Sequence, residues 1–243
     1  MYALILAGGI GERLRPLTES LPKPMIPLDG RPILWHQVRW LRDAGVTDVV
    51  FLLGHLAEVV VDYFGDGSEF GIRAHYSYED APLGRGGALR KGFELMPSGT
   101  DELVIATNGD VVTEANLDDM INDFSSRVDA DAGHLATILT VSMTSPYGIV
   151  ETEADGVVRA FKEKSALPYE INAGVYVLNP AICKLLPERG DHEVTTFPVL
   201  AGRGQMSAVH SGAFWRSVDS LKDLREVEQH IASRTVSSQQ GVY

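Results

Sequence analysis

The sequence predicts an α/β protein: a mixed, mainly parallel sheet flanked by helices, with a small β-rich lobe. Three observations carry that prediction. From Ala3 to Thr107, apolar strand-like runs alternate with helix-like segments, the signature of parallel strands joined by crossover helices. The first run, Ala3 to Ala7, stops at Gly8 and Gly9, with Gly11 two residues on. From Gly133 onward the rhythm changes to strands joined by shorter connections.

The elements follow in order. Ala3 to Ala7 is short and apolar throughout, as a strand buried on both faces should be. Pro32 to Ala44 reads as a helix, with Ile33, Leu34, Val38 and Leu41 at helical spacing and Gly45 as its stop. Asp48 to Leu53 is a strand rich in Val and Phe, His55 to Phe64 a helix, and Ile72 to Ser77 a strand. Gly86 to Met96 is a further helix and Glu102 to Thr107 a fourth strand. In the second part, Leu135 to Val141, Gly148 to Thr152, Val157 to Glu163 and Ile171 to Leu178 read as strands, with a tight turn at Asp155-Gly156. Leu221 to Ser233 is the closing helix. Residues 1–234 are expected to form one domain, and 235–243, polar and without periodicity, a flexible tail.

Composition narrows the classes. A chain of 243 residues can bury a sizeable core. With 33 acidic against 21 basic residues the net charge is −12, which argues against nonspecific nucleic-acid binding and against an anionic membrane surface as partner. The single cysteine, Cys183, rules out an intramolecular disulfide; its helix-like setting suits a small packed residue better than a nucleophile. No apolar run approaches the roughly 20 residues of a membrane span, and the N-terminus opens directly on strand residues, so a cytoplasmic protein is expected. The seven histidines show no zinc or triad spacing, and no serine sits in a Gly-x-Ser-x-Gly elbow.

Three stretches carry chemistry. Gly8, Gly9 and Gly11 let backbone N–H groups approach a bound anion, and Arg13, Arg15 and Lys23 place cations beside them: a loop for a polyphosphate. It is not a Walker loop, lacking Gly-Lys-Ser/Thr, nor a dinucleotide fingerprint, having Leu14 where the third glycine would fall. Glu79 to Leu89 opens a helix with glycines, which suits a planar base laid against backbone and a helix N-terminus open to anionic groups. Asn108-Gly109-Asp110 ends a strand with a carboxylate placed to hold a hard cation such as Mg²⁺.

Leu6-Ala7-Gly8-Gly9-Ile10-Gly11-Glu12-Arg13-Leu14-Arg15-Pro16-Leu17-Thr18, with Pro22-Lys23-Pro24 after it, closely resembles the signature of the sugar-phosphate nucleotidylyltransferases. Members of that family join a nucleoside triphosphate to a sugar 1-phosphate and release pyrophosphate, on a Rossmann-like, GT-A-like fold. The resemblance implies that Leu6, Ala7, Gly8, Gly9 and Gly11 hold the nucleotide, that Arg13 and Lys23 act on its phosphates, and that Asp110 binds Mg²⁺. Pro82-Leu83-Gly84-Arg85-Gly86-Gly87-Ala88-Leu89 is similar to the family's Pro-Leu-Gly-Thr-Ala-Gly-Ala-Leu, with Arg85 and Gly86 in place of Thr and Ala; Pro82, Gly84, Gly87 and Asn108 thereby join the nucleotide site. Glu79 falls where the family meets the base edge. A carboxylate only accepts hydrogen bonds, so Glu79 favours guanine, then cytosine, over uracil or thymine.

The second metal carboxylate is assigned to Asp219, whose Asp-Ser-Leu-Lys-Asp setting resembles the family's Asp-Thr-Leu-x-Asp; the commoner Trp-x-Asp pattern would place it at Ser217, and Asp219 or Ser220 could instead cap the last helix. For the acceptor sugar, the resemblance implies Tyr147 and Gly148 (Tyr-Gly-x-Val), Glu163 and Lys164 (Glu-Lys-Pro, with Ser165 for the proline), and Asn172 and Gly174 (Asn-x-Gly). The expected partners are a triphosphate, with GTP favoured and CTP, dTTP or UTP as alternatives, and a sugar 1-phosphate; a homo-oligomer is compatible with the sequence. Rival readings are a catalytically silent nucleotide-sugar-binding subunit, a glycosyltransferase and a phosphocholine cytidylyltransferase.

Overall fold

The computed structural model describes residues 1–97 and 103–240, the side chains of 235–240 excepted. The chain begins with β1 (Tyr2–Leu6), then the short pair β2 (Pro27–Leu28) and β3 (Arg31–Pro32), and α1 (Ile33–Asp43). Next come β4 (Asp48–Leu53), α2 (Ala57–Phe64), β5 (Arg73–Tyr78), α3 (Gly84–Phe93), β6 (Val104–Asn108) and β7 (Val111–Thr113). The remainder is α4 (Leu117–Ala130), β8 (Ala136–Thr144), β9 (Ile149–Thr152), β10 (Val158–Lys162), β11 (Ala166–Leu178), α5 (Thr196–Gly202), β12 (Met206–His210), β13 (Trp215–Ser217) and α6 (Leu221–Gln240).

Seven strands form the central sheet in the order β12-β8-β11-β6-β1-β4-β5. Pairings are parallel except those of β11, which runs antiparallel to both β6 and β8. β1 buries both faces, as its unbroken apolar run requires: Ala3 and Ile5 join Phe51 and Val175 on one side, and Leu4 joins Val50, Leu89 and Tyr176 on the other. The register sets Leu6 beside both Leu52 and Asn108, so the glycine turn after β1 and the Asn108-Gly109-Asp110 turn after β6 emerge side by side at the strands' carboxyl edge.

The predicted class stands, with differences in detail. Asp48–Leu53 is observed as expected, and Gly156, at φ +85°, makes the tight turn between β9 and β10. The helix α4 went unassigned in the sequence although Asn116 caps it, accepting from Asp118 N–H, and Leu117, Met120 and Phe124 bury one stripe. β12 and β13 were also missed; each is short and defined by long-range pairing. The segment around Cys183 is a 3-10 helix, Pro180–Leu185. The last helix runs through Gln240, past the boundary at Ser233, because Thr235 to Gln240 holds neither glycine nor proline to break the ladder. Residues 241–243 of the expected tail lie outside the described residues.

The β-rich lobe is small. Among the described residues β9 and β10 pair only with each other, and the hairpin leaves Val150, Val158 and Phe161 exposed. Among the described residues no helix is long and apolar enough to cross a membrane.

Candidate active site

Glycines shape the cleft by allowing close approach. Gly11 holds φ +68°, and a Cβ there would lie 2.9 Å from Lys23 Cβ and 3.0 Å from Thr18 Cγ2. Its carbonyl accepts from Thr18 Oγ1 (2.9 Å), so the chain folds back and seats Lys23 beneath the turn. Gly109 does the same at the end of β6. A Cβ there would sit 2.6 Å from Leu6 O, and its N–H donates to that oxygen at 2.8 Å, which brings Asp110 against the turn. A separate apolar cluster joins Leu14 and Ile26 to Val218, Leu224 and Val227, tying the glycine loop to the start of α6 and setting Asp219 opposite Arg13.

The charges converge. Lys23 Nζ donates to Asp110 Oδ2 at 2.5 Å and to Asp219 Oδ1 at 2.8 Å, and Arg13 Nη2 donates to the same Asp219 oxygen at 2.6 Å. Ser217 Oγ donates to Asp219 Oδ2 (2.9 Å). Burial works to raise the Asp219 pKa, but hydrogen bonds from Lys23 and Ser217 and the charges of Lys23 and Arg13 outweigh it and hold the group below its ordinary value. The cap of α6 is a different residue. Ser220 Oγ accepts from Asp223 N–H (3.3 Å) and donates to its carboxylate (2.7 Å), while Asp223 takes the Asp219 N–H (3.2 Å), leaving the Asp219 carboxylate to face Lys23.

The pair of carboxylates fits a hard divalent cation. Both reach one ammonium, and Asp110 Oδ1 is buried without a hydrogen-bond partner. No group of three or more His, Cys, Asp or Glu that could hold a metal exists among the described residues, so the rest of a coordination shell would come from substrate oxygens and water, the usual pattern for Mg²⁺ beside phosphates. A cleft of about 700 Å³ is lined by Gly9, Gly11, Arg13, Lys23, Asp110 and Asp219, together with Arg85, Asn108 and Ser217.

The residues expected to hold the nucleotide lie around this cleft. Leu6 and Ala7 act through backbone: Leu6 O holds Gly109, and Ala7 N–H donates to Leu52 O at 2.9 Å. Gly8 lies against Gly54, whose Cβ would fall 2.9 Å from Gly8 O, a requirement no local motif announced. Glu79 sits alongside: its Oε2 accepts from Leu83 N–H at 2.9 Å, and its Oε1 lies 3.5 Å from where a Gly8 Cβ would be. The start of α3 differs from expectation. Gly190 O accepts from the N–H groups of Gly86 (2.9 Å) and Gly87 (3.3 Å), and Asp191 Oδ1 accepts from Arg85 N–H (2.9 Å). The helix N-terminus is therefore not open to an anionic ligand. Gly84, Gly86 and Gly87 have no room for a Cβ because the 187–192 segment packs on them, while Pro82 stays exposed.

The residues expected at the acceptor sugar divide. Asn172 and Gly174 adjoin the cleft, in a second compartment that shares Arg85, Asn108 and Ser217 with it. Asn172 Oδ1 accepts from Gly174 N–H (2.9 Å), and Gly174, at φ +72°, leaves space that Asn108 occupies. Tyr147, Gly148 and Glu163 line neither compartment; they lie on and beside the hairpin, which among the described residues has no third strand. Lys164 lines a neighbouring cavity with Trp215, Arg216 and Asp223.

Several site residues were not legible. Gln37, buried on α1, donates from Nε2 to both Asn108 O and Val111 O (2.7 Å each) and so clamps the turn carrying Asp110; a polar residue within an apolar stripe was its signal. Trp215 Nε1 donates to Ala173 O at 2.8 Å. Glu193 accepts from Asn172 Nδ2 at 3.1 Å and had no local signal at all.

The model of the nucleotidyl transferase family matches residues 2–234. The chain belongs to that family, the sugar-phosphate nucleotidylyltransferases. It is 31% identical over 260 residues to a UTP–glucose-1-phosphate uridylyltransferase of Synechocystis, covering 99% of this chain and 66% of the relative. It is 35% identical over 232 residues to mannose-1-phosphate guanyltransferase beta-B of Xenopus laevis, covering 92% and 62%. The chain thus spans about two-thirds or less of the length of these relatives. Among solved structures, HddC from Yersinia pseudotuberculosis superposes with a TM-score of 0.69 at 22% identity, covering 95% of this chain and 99% of that one, which shows the shared fold.

Proposed function

We propose that this chain transfers a nucleotidyl group from a nucleoside triphosphate to a sugar 1-phosphate, releasing pyrophosphate. The observation that carries the reading is the Lys23 ammonium held between Asp110 and Asp219 beside a glycine turn and Arg13. A sugar phosphate is already an anion at neutral pH and needs no general base. The barrier lies in aligning two polyanions and in holding charge on the departing pyrophosphate, so positioning and electrostatics supply the catalysis.

In this reading Arg13 holds the transferring and leaving phosphates and Lys23 the α-phosphate side. Asp110 and Asp219 hold Mg²⁺, which supplies charge neutralisation at the phosphate oxygens when bound. Gly8, Gly9 and Gly11 bring backbone N–H groups to the triphosphate, Gln37 keeps the Asp110 turn in place, and Asn172 and Gly174 floor the sugar compartment. Tyr147, Gly148, Glu163 and Lys164 complete the acceptor side from the hairpin. Glu79 takes the base edge through Oε1, its other oxygen being engaged by Leu83, and this favours guanine over uracil or thymine. The relatives' names include both a guanyltransferase and a uridylyltransferase, so either base class is represented among similar chains.

The test is a pyrophosphate-release screen of four triphosphates against a panel of sugar 1-phosphates with Mg²⁺. Turnover confined to one triphosphate and a narrow set of sugar phosphates supports the reading. Silence across the whole matrix refutes it, and preferred use of UTP or dTTP over GTP refutes the role given to Glu79.

A further inference from the structure

Arg85 occupies a position where the resembling motif has a threonine, and it lines both the triphosphate cleft and the compartment floored by Asn172 and Gly174. Its guanidinium is held in place. Nη2 lies 2.5 Å from Glu193 Oε2 and 3.3 Å from Asp191 Oδ2, and the backbone N–H donates to Asp191 Oδ1. Its platform is rigid, since Gly84, Gly86 and Gly87 are packed without space for a Cβ against the segment that carries both acids. Glu193 Oε1 in turn accepts from Asn172 Nδ2 and Tyr176 OH, each at 3.1 Å. An ion pair from Arg85 to Glu193 and hydrogen bonds from Asn172 and Tyr176 onto Glu193 thus link Arg85 to the floor of the second compartment.

The link is not closed. Arg85 Nε and Nη1 have no acceptor among the described residues, and the side chain is 42% exposed, with Glu193 at 23%. A guanidinium carries five N–H donors in a fixed fork, and a carboxylate can accept further bonds. The Arg85–Glu193 pair therefore offers a donor and an acceptor side by side on the compartment wall. Arg85 and Glu193 are the charged side chains among the described residues lining this compartment, so its wall is balanced in charge and offers no spare cation to a second acid group on the sugar.

We propose that Arg85, paired with Glu193, is a specificity-determining residue of the acceptor compartment that reads two neighbouring hydroxyls of a neutral hexose or heptose 1-phosphate. Arg85 donates to one hydroxyl oxygen and Glu193 accepts from the other. The inference rests on the reaction proposed above. A site built to bond hydroxyls rejects analogues lacking them, because its own polar groups are then left unpaired.

The experiment uses the full chain, unaltered and as Arg85→Thr and Arg85→Lys. It measures pyrophosphate release, and separately calorimetric binding without triphosphate, with a hexose 1-phosphate, its 2-acetamido counterpart and the matching uronic acid 1-phosphate. The unaltered chain should prefer the neutral hexose phosphate. Arg85→Thr should raise KM for it about tenfold or more, leave KM for the triphosphate within about twofold and shrink the preference over the acetamido sugar, while Arg85→Lys should keep part of it. A rise in the triphosphate KM instead, or unchanged constants in both variants, overturns the proposal and leaves the reaction standing. A chain that binds the hexose phosphate through Arg85 but never turns over upholds it and overturns the reaction. Neither binding nor turnover overturns both.

Discussion

The two sides of the cleft are built differently. On the proposed triphosphate side, Lys23, Asp110 and Asp219 are held by three independent supports: glycine contacts at Gly11 and Gly109, the Gln37 clamp, and the apolar cluster linking Leu14 to Val218. On the proposed acceptor side, Tyr147, Gly148, Glu163 and Lys164 belong to a two-stranded hairpin and its flanks, with Tyr147 77% exposed and no third strand in the hairpin's sheet among the described residues. A charge cluster must be fixed before substrate arrives if it is to act on developing charge. Residues that recognise a sugar can complete their contacts on binding, and a hairpin with few buried apolar contacts opens and closes at low cost. The contrast separates a preorganised half from an adaptable one.

The largest effect expected from breaking that contrast is at Asp110. Asp110→Ala should lower turnover by about a thousandfold while the thermal midpoint stays within a few degrees, because Lys23 keeps Asp219 as a partner. Steady-state kinetics beside a melting curve checks both halves of the statement.

A second test addresses the rigid half far from the chemistry. Asp48 is buried at the start of β4, bonded to Arg73, His75 and Thr47. Burial works to raise its pKa, but those hydrogen bonds and the Arg73 charge outweigh it and lower the value from 3.8 to about 2. A depressed folded-state pKa contributes stability that is fully present above the unfolded value and is lost as pH falls from 3.8 through about 2. Asp48→Asn should therefore cost roughly 2 kcal/mol at neutral pH and flatten that part of the acid limb, read from urea unfolding at a series of pH values.

Smaller effects are expected on the hairpin side. Lys164→Ala should raise KM for the sugar 1-phosphate about tenfold without changing that for the triphosphate; an equal rise in both would remove Lys164 from the acceptor side. Smallest is Phe161→Ser. The ring is exposed, so folding stability should change by less than about 0.5 kcal/mol by urea titration. A larger loss would mean that the hairpin is packed more firmly than its exposure indicates.

Legibility followed how local each cause was. Asp48–Leu53 and the Asp155-Gly156 turn were readable because burial and turn chemistry are written in adjacent residues. The α4 helix carries a local signal too, in the Asn116 cap and the apolar stripe of Leu117, Met120 and Phe124, though it is not among the predicted elements. The glycines opening α3 also have a cause far along the chain: Gly84 packs on Gly190, about a hundred positions away, and Gly190 O accepts from the N–H groups of Gly86 and Gly87 at that helix end.

By itself the sequence determined the α/β class, the glycine turn after β1, and the family to which the chain belongs, since periodicity and glycine placement act over a few residues. Only the tertiary structure decided that Ser220 caps α6 so that Asp219 meets Lys23, that Gln37 clamps the Asp110 turn, and that Arg85 joins Glu193 between two compartments. Each of those depends on which strand lies beside which, and residues that far apart along the chain leave no periodic trace of their meeting.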